Sequence, residues 1–383
     1  MPRNRVLLVL AIAGLAGGLE LAFLREAPNR LLSGAPILLA ETLHGARALT
    51  LLPALILLTG PFLPQRRDVH ALLAASAAAL LVALVWLAGA EAAVLAAHAP
   101  RAARTSLGGG FWVLFLCAAL ALLDAVQRLA LPAAAGLLIG LGLVAALLLL
   151  GAAGALDGLS ILREYAVRRA AFADAVLRHV TIVLGALVPT VIIGVPLGIL
   201  AQRRPRLRAG LFGILNVVQT IPSIALFGLL IAPLSGLAAL VPALGALGIG
   251  GVGPAPAIIA LVLYALLPVV RNTQEGLAGV APSVTEAARG LGMTEAQIFW
   301  RVEIPLALPA FLSGLRIATV QTVGLAAVAA LIGAGGLGAI MFQGLFADAL
   351  DLVLLGAVPV ILLALAADAL LMELATHLRR SPA

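Results

Sequence analysis

Apolar runs of about 20 residues, the length that crosses a bilayer as a helix, follow one another along this chain, separated by short arginine-bearing pieces. No soluble core takes up that much apolar surface. Of the 383 residues, 63% are hydrophobic and 11% charged, against about 25% charged in ordinary soluble domains. The runs are continuous and lack the period-two alternation of a β-barrel, which is thereby excluded. The fold class expected is all-α: a polytopic transmembrane helical protein of about ten spans. The spans are expected at 6–24, 49–64, 71–90, 109–128, 132–154, 181–201, 209–231, 255–270, 310–332 and 350–373. The stretch 232–254 is apolar but rich in Gly and Pro, and reads as an external loop or a half-buried hairpin. Arg3 and Arg5 precede the first run with no small-residue cleavage site after it, so that run is expected to stay as a span.

Every one of the 24 basic residues is Arg. A P-loop needs a Lys on the β- and γ-phosphates, and Schiff-base chemistry needs a Lys amine, so both are excluded. The formal net charge of +7 is spread over short loops, the pattern that sets membrane orientation, and no nucleic-acid partner is expected. Cys117 is the only cysteine, so no internal disulfide can form. His44, His70, His98, His179 and His377 are scattered, away from metal-ligand spacings, and are read as loop or interfacial residues. No nucleophile elbow, carboxylate pair or metal cluster is present, so no catalytic, metal or cofactor residues are assigned.

With the N-terminus placed inside, Arg203, Arg204, Arg206, Arg208, Arg271, Arg289, Arg301, Arg379 and Arg380 all fall on the cytoplasmic side of the second half, whose outer loops hold no arginine. The positive-inside rule then places 286–309 in the cytoplasm, along with both termini. In the first half Arg3, Arg5, Arg66, Arg67 and Arg128 fall inside, and Arg25, Arg30, Arg47, Arg101 and Arg104 outside. Between the halves, Val167, Ala171, Phe172, Val176 and Val180 recur near helical spacing with Arg on the other face, which reads as an interfacial amphipathic helix. The expected organisation is an N-terminal block of about five spans at 1–156, a linker helix at 157–180, and a core at 181–383 with a cytoplasmic loop at 271–309.

That loop is polar and punctuated. Ser283 to Glu286 has the form S-x-x-E and Thr294 to Gln297 the form T-x-x-Q, each predicting a capping box that starts a helix. Gly290 and Gly292 lie between them, where a C-terminal cap belongs, and Pro305 is expected to end the second helix. Ala287, Ala288 and Leu291 on the first helix, and Ile298, Phe299 and Val302 on the second, form small apolar faces. These either pack on the loop's own spans or fit a groove on a cytoplasmic partner.

Glu286, Ala287 and Ala288, then Gly292, then Val302, Ile304 and Pro305 resemble the cytoplasmic loop of ABC importer permeases, which more often has Ile and Leu at the Val302 and Ile304 positions. The stretches 179–200, 216–231, 264–277 and 331–345 are similar to the permease subunits of osmoprotectant importers, those for glycine betaine, choline or carnitine. The resemblance covers about 165–378, and the extra spans at 1–156 resemble the longer YehY-type members. It implies a C-terminal half with the type I ABC importer (MetI-like) permease fold. It also implies a coupling loop docked on a separate ABC ATPase subunit that holds the ATP and Mg, a second permease copy, a periplasmic or lipid-anchored solute-binding protein, and a place in the lipid of the bacterial inner membrane. The function so implied is ATP-driven import of a compatible solute. A stand-alone secondary transporter or channel is the alternative, as is an ABC permease for another solute such as an amino acid.

Asn216, Gln219, Thr220 and Ser223 fall at i, i+3, i+4 and i+7, a polar stripe on an apolar helix. It either lines a translocation path or hydrogen-bonds between helices, and Gln321 and Thr322 are candidates for the same lining. Arg316 is expected to snorkel, and Asp368 and Glu373 to reach headgroups. Residues 333–338, GAGGLG, match G-x-G-x-x-G but follow a span where the dinucleotide motif needs a strand, and so read as a tight turn.

Overall fold

Within a bilayer, backbone polar groups must be satisfied inside their own segment, and the long apolar runs are helical throughout the computed structural model. It describes residues 2–29, 32, 34–100, 102–246 and 248–380. Arg30 and Arg101, assigned above to outer loops, lie outside the described residues. The chain divides into two compact units, Met1–Val167 and Arg168–Ala383.

In the first unit α1 (Arg5–Glu20) starts on Asn4, whose side chain accepts the Leu7 N–H at 3.1 Å. Strands β1 (Leu24–Ala27) and β2 (Ala35–Ile37) follow, then the short α2 (Leu39–Thr42) and a 3-10 run, Gly45–Leu51, that leads into α3 (Leu52–Thr59). Next come α4 (Arg67–His98), β3 (Arg104–Leu107), α5 (Gly109–Leu129), α6 (Ala133–Ala152) and α7 (Ser160–Val167). The strands form an antiparallel sheet in the order β2-β1-β3, with Leu24 opposite both Ile37 and Leu107. Hydropathy reading gave no hint of this sheet, because its strands are only three or four residues long. Pro36 sits on the outer strand β2, where a missing N–H costs the ladder least. The core gathers on Phe23, Leu24, Leu84 and Leu87, all 0% exposed. Two carboxylates tie this apolar unit together. The buried Glu91 of α4 accepts from Arg47 at 2.5 Å, and Asp124 of α5 accepts from Asn4 at 2.7 Å and from Arg128 at 2.9 Å.

In the second unit α8 (Arg169–Arg203) is 35 residues long and carries Pro189 and Pro196 inside it. Then follow α9 (Pro205–Thr220), α10 (Ser223–Leu240), α11 (Pro242–Ala246), α12 (Pro254–Ala278), α13 (Pro282–Gly290), α14 (Glu295–Ile298), α15 (Ile304–Val328), α16 (Leu337–Phe346) and α17 (Leu350–Arg380). Helix α12 is the centre, packed on α8 and on α15, while α17 lies on α15 and α16. Ala257, Ala260, Leu261, Ala265, Val269 and Val270, all on α12, are completely buried. This face of small and β-branched residues lets the helices approach closely, which is how helices associate in lipid.

Nine helices are long and apolar enough to span a membrane among the described residues, in keeping with the expected count of about ten. Several other expectations are corrected. Helix α1 has only 16 residues, because the chain leaves it at Leu21 to build the sheet. The span expected at 209–231 is broken at Ile221–Pro222, and its second part, α10, runs on to Leu240 through the stretch read as a loop. Residues 157–180 are not one helix. Arg168, with φ −119° and ψ 21°, separates α7 from α8, and the amphipathic stretch beyond it is continuous with a span. His179 is not interfacial. It is 0% exposed, and its Nε2 donates to the Val323 carbonyl at 3.1 Å. Residues 333–336 form the expected turn: Gly333, Gly335 and Gly336 take φ of 79°, 81° and 78°, a left-handed region open at little cost only to glycine.

Candidate coupling loop and translocation path

Helix α13 opens on Pro282 at its first position, with Ala281 as an N-cap that has no side-chain hydrogen bond. The first predicted capping box therefore does not form. Proline's fixed φ suits the first helical position, which moves the cap one residue ahead of Pro282 and leaves Ser283 inside the helix. Thr285 turns its hydroxyl back to the Pro282 carbonyl at 2.9 Å. The helix ends in a Schellman motif: the Met293 N–H donates to the Ala288 carbonyl at 3.2 Å and the Gly292 N–H to that of Arg289 at 2.9 Å. Gly292 stands at φ 81°, the left-handed position that this motif needs.

The second box is complete. Gln297 N–H donates to Thr294 Oγ1 at 3.3 Å, and Thr294 N–H to Gln297 Oε1 at 2.9 Å, starting α14. Pro305 does not end this helix. The chain widens into a π turn over Phe299–Glu303, in which the Ile304 N–H donates to the Phe299 carbonyl, and then runs on as α15. A proline at 305 cannot donate to residue 301 and its ring crowds that carbonyl. One π turn absorbs both effects, so the helix from Glu295 to Ile332 is continuous. The loop is thus rigidly attached to a span.

Two ion pairs fix the loop's shape. Arg289 grips Glu295 across the glycine turn, Nε to Oε1 at 2.7 Å and NH2 to Oε2 at 3.2 Å. This hydrogen bond holds the Glu295 carboxyl below its usual range. At the base, Arg203 at the end of α8 meets Glu303 at 2.5 Å and stands 5.3 Å above the Phe299 ring. The apolar faces divide. Ala288 and Ile298 turn inward, at 6% and 1% exposure, while Ala287, Gly290 and Gly292 are exposed and Leu291 at the tip is 83% exposed. Glu286 and Pro305 are also exposed, whereas Val302 and Ile304 are half-buried at the base. Ala288 and Ile298 thus follow the inward-packing reading, and Leu291 stays open to solvent.

The polar stripe is divided by the break at Ile221–Pro222, with Asn216, Gln219 and Thr220 on α9 and Ser223 on α10. Gln219 donates to the Tyr264 carbonyl at 2.6 Å, and Gln321 donates to Gln219 Oε1 at 3.4 Å. Tyr264 closes the set by donating its hydroxyl to the Ile221 carbonyl. Gln219 and Gln321 are thus brought together from α9 and α15. Asn216 is exposed, Thr220 turns back to the Val217 carbonyl at 2.7 Å, and Thr322, 1% exposed, bonds within its own helix to Ala318. Sequence reading missed Tyr264, whose signal was a lone hydroxyl in mid-span. It also misread Arg316, which does not snorkel but forms a two-point ion pair with Asp368, with NH2 to Oδ2 at 2.7 Å, joining α15 to α17.

The second unit is thus a bundle of apolar helices with a closed hairpin fused to one of its spans. Two family models match: "ABC transporter permease YehY, N-terminal domain" over residues 3–162, and "Binding-protein-dependent transport system inner membrane component" over 194–380. The chain is similar to the osmoprotectant import permease protein OsmW of Salmonella typhimurium, 42% identical over 202 residues, 53% of this chain and 89% of that protein. It is also similar to the carnitine transport permease protein OpuCB of Listeria monocytogenes, 40% identical over 50% of this chain and 80% of that one. The choline transport system permease protein OpuBB of Bacillus subtilis is 39% identical over the same shares. Among solved structures, a chain of the inward-facing MetNI methionine ABC transporter aligns with a TM-score of 0.44 at 24% identity, over 53% of this chain and 95% of that one. The chain belongs to the ABC transporter permease family, among members that carry a YehY-type N-terminal domain.

Proposed function

We propose that this chain is the membrane-spanning subunit of an ATP-driven importer for a quaternary-ammonium compatible solute such as glycine betaine, choline or carnitine. The observation that carries the coupling half of this reading is the hairpin 282–303. It is closed by its own ion pair, fused to α15, and presents Leu291 at 83% exposure. An exposed leucine on a rigid, charged tip fits a groove on a soluble partner. That partner is an ABC ATPase subunit, which binds the ATP and Mg; this chain binds neither. A second permease copy completes the pore, and a periplasmic or lipid-anchored binding protein delivers the solute. The chain sits in the bacterial inner membrane with 271–309 and the C-terminus in the cytoplasm, as the arginines of the second half favour, and with α1 as a tenth crossing the N-terminus lies on the same side. The path runs past Gln219 and Gln321.

The solute class is supported by the names of the relatives, for osmoprotectants, carnitine and choline. Recognition rests mainly with the binding protein, where an aromatic cage suits a trimethylammonium group. With 2 Tyr and 3 Trp in 383 residues, this chain has few rings for such a cage. The rival, a secondary transporter, needs an ionisable group free to couple ions inside the membrane. Arg316 and Asp368 are ionisable, but each occupies the other at two points. The solute assignment is tested by calorimetry on the cognate binding protein. Micromolar retention of glycine betaine, choline or carnitine is expected, and retention of an amino acid alone overturns it.

A further inference from the structure

We infer that Arg203 is a positioning residue for energy coupling: it locks the cytoplasmic end of α8 to the coupling loop, so that α8 moves with the loop as one body with α15. This rests on the coupling reading above. Two contacts carry it. The Arg203 guanidinium reaches Glu303 at 2.5 Å and covers the Phe299 ring at 5.3 Å. Phe299 and Glu303 are the two ends of the same π turn, four residues apart and so on one face. The arginine therefore grips the π turn at both ends, through a charge and through a ring.

Arg203 is the last residue of α8, where the helix dipole also favours a cation. The opposite end of the unit is tied as well, since His179 on α8 donates to the Val323 carbonyl of α15 at 3.1 Å. Helices α8 and α15 are thus joined near both ends, and each packs on α12 and on the other. A load applied at Leu291 enters α15 through the continuous helix and enters α8 through Arg203. Without Arg203, α8 keeps its packing on α15 and α12 but loses its direct tie to the loop. A surface pair with no mechanical role would use one contact and would contribute little. A guanidinium held over a ring while pairing with a carboxylate is an arrangement that a lysine ammonium reproduces only in part.

The test uses the full chain reconstituted in vesicles with its ATPase and binding protein, reading solute imported per ATP hydrolysed and recovery of the ATPase with the chain. Arg203→Ala and the milder Glu303→Gln are each expected to lower that ratio about tenfold, the scale of coupling between sites, with ATPase still recovered in full. Arg203→Lys is expected to recover only part of the loss, and the exchanged pair R203E/E303R to recover at least half. A wild-type ratio in Arg203→Ala overturns the inference. So does loss of ATPase binding in both single variants, which would make the pair a builder of the docking surface. Failure of the coupling reading is separate: it would appear in the wild-type chain as uptake that ignores ATP.

Discussion

Replacing Leu291 by glutamate is expected to abolish ATP-driven uptake while the chain stays folded. Leu291 is 83% exposed and caps α13 with ordinary backbone angles, φ −81° and ψ 4°. Surface changes of this kind move folding stability by about 0.5 kcal/mol or less. Docking would be affected far more. A leucine buried in a partner groove contributes about 1.5–3 kcal/mol, and a carboxylate forced there adds a desolvation cost of several kcal/mol. Together these predict a loss of at least about a hundredfold in affinity for the ATPase, since each tenfold is about 1.4 kcal/mol. The variant's thermal melt in detergent should match that of the wild type, and its recovery with the ATPase should fall to background. Leu291→Ala should be milder, by the leucine term alone. Full transport in Leu291→Glu would remove Leu291 from any docking surface. Gly292 next to it is a poorer probe, because at φ 81° any side chain brings backbone strain as well.

The second large effect lies in the spans. Arg316→Leu or Asp368→Leu alone should destabilise the folded chain by about 3 kcal/mol, because each leaves one charge unpaired among helices. The double variant R316L/D368L should be much closer to wild type, since two leucines match that setting and no lone charge remains. The measurement is a double-mutant cycle by denaturation in detergent. A coupling energy of about 2 kcal/mol or more is expected for such contacting charges. Additive losses would show that the two groups act separately, despite their two-point contact. Transport by the double variant is informative too. Retained ATP-driven uptake fits a pair that holds α17 on α15, whereas a secondary transporter would lose its coupling group.

What could be read from the sequence follows a physical division. Helices were legible because the apolar runs dictate them, and the Thr294 cap was legible because its atoms lie within four residues of each other. The first cap was missed for an equally local reason: Pro282 claimed the first helical position and displaced Ser283. Pro305 was read as a stop because sequence shows what a proline forbids, not how a π turn accommodates it. The break at Ile221–Pro222 hid inside one hydropathy window, and the Leu24–Ala27 sheet fell below it. Within the loop, Ala288 turning inward and Leu291 outward was undetermined at sequence level, because both sit on the same apolar face of a short helix. Long-range pairs were illegible altogether. Arg316 and Asp368 are 52 residues apart, and Arg203 and Glu303 100 apart. Nothing in the local pattern says that they meet.

The central claim is that a soluble hydrolase drives this membrane chain through the 282–303 hairpin. It is tested most directly by reconstituting the purified chain in vesicles with its binding protein and radiolabelled glycine betaine, with the ATPase subunit and ATP either supplied or withheld. Accumulation against a gradient only when the ATPase and ATP are both present is the predicted result. Equal accumulation with the hydrolase withheld, driven by a proton or sodium gradient alone, would contradict it.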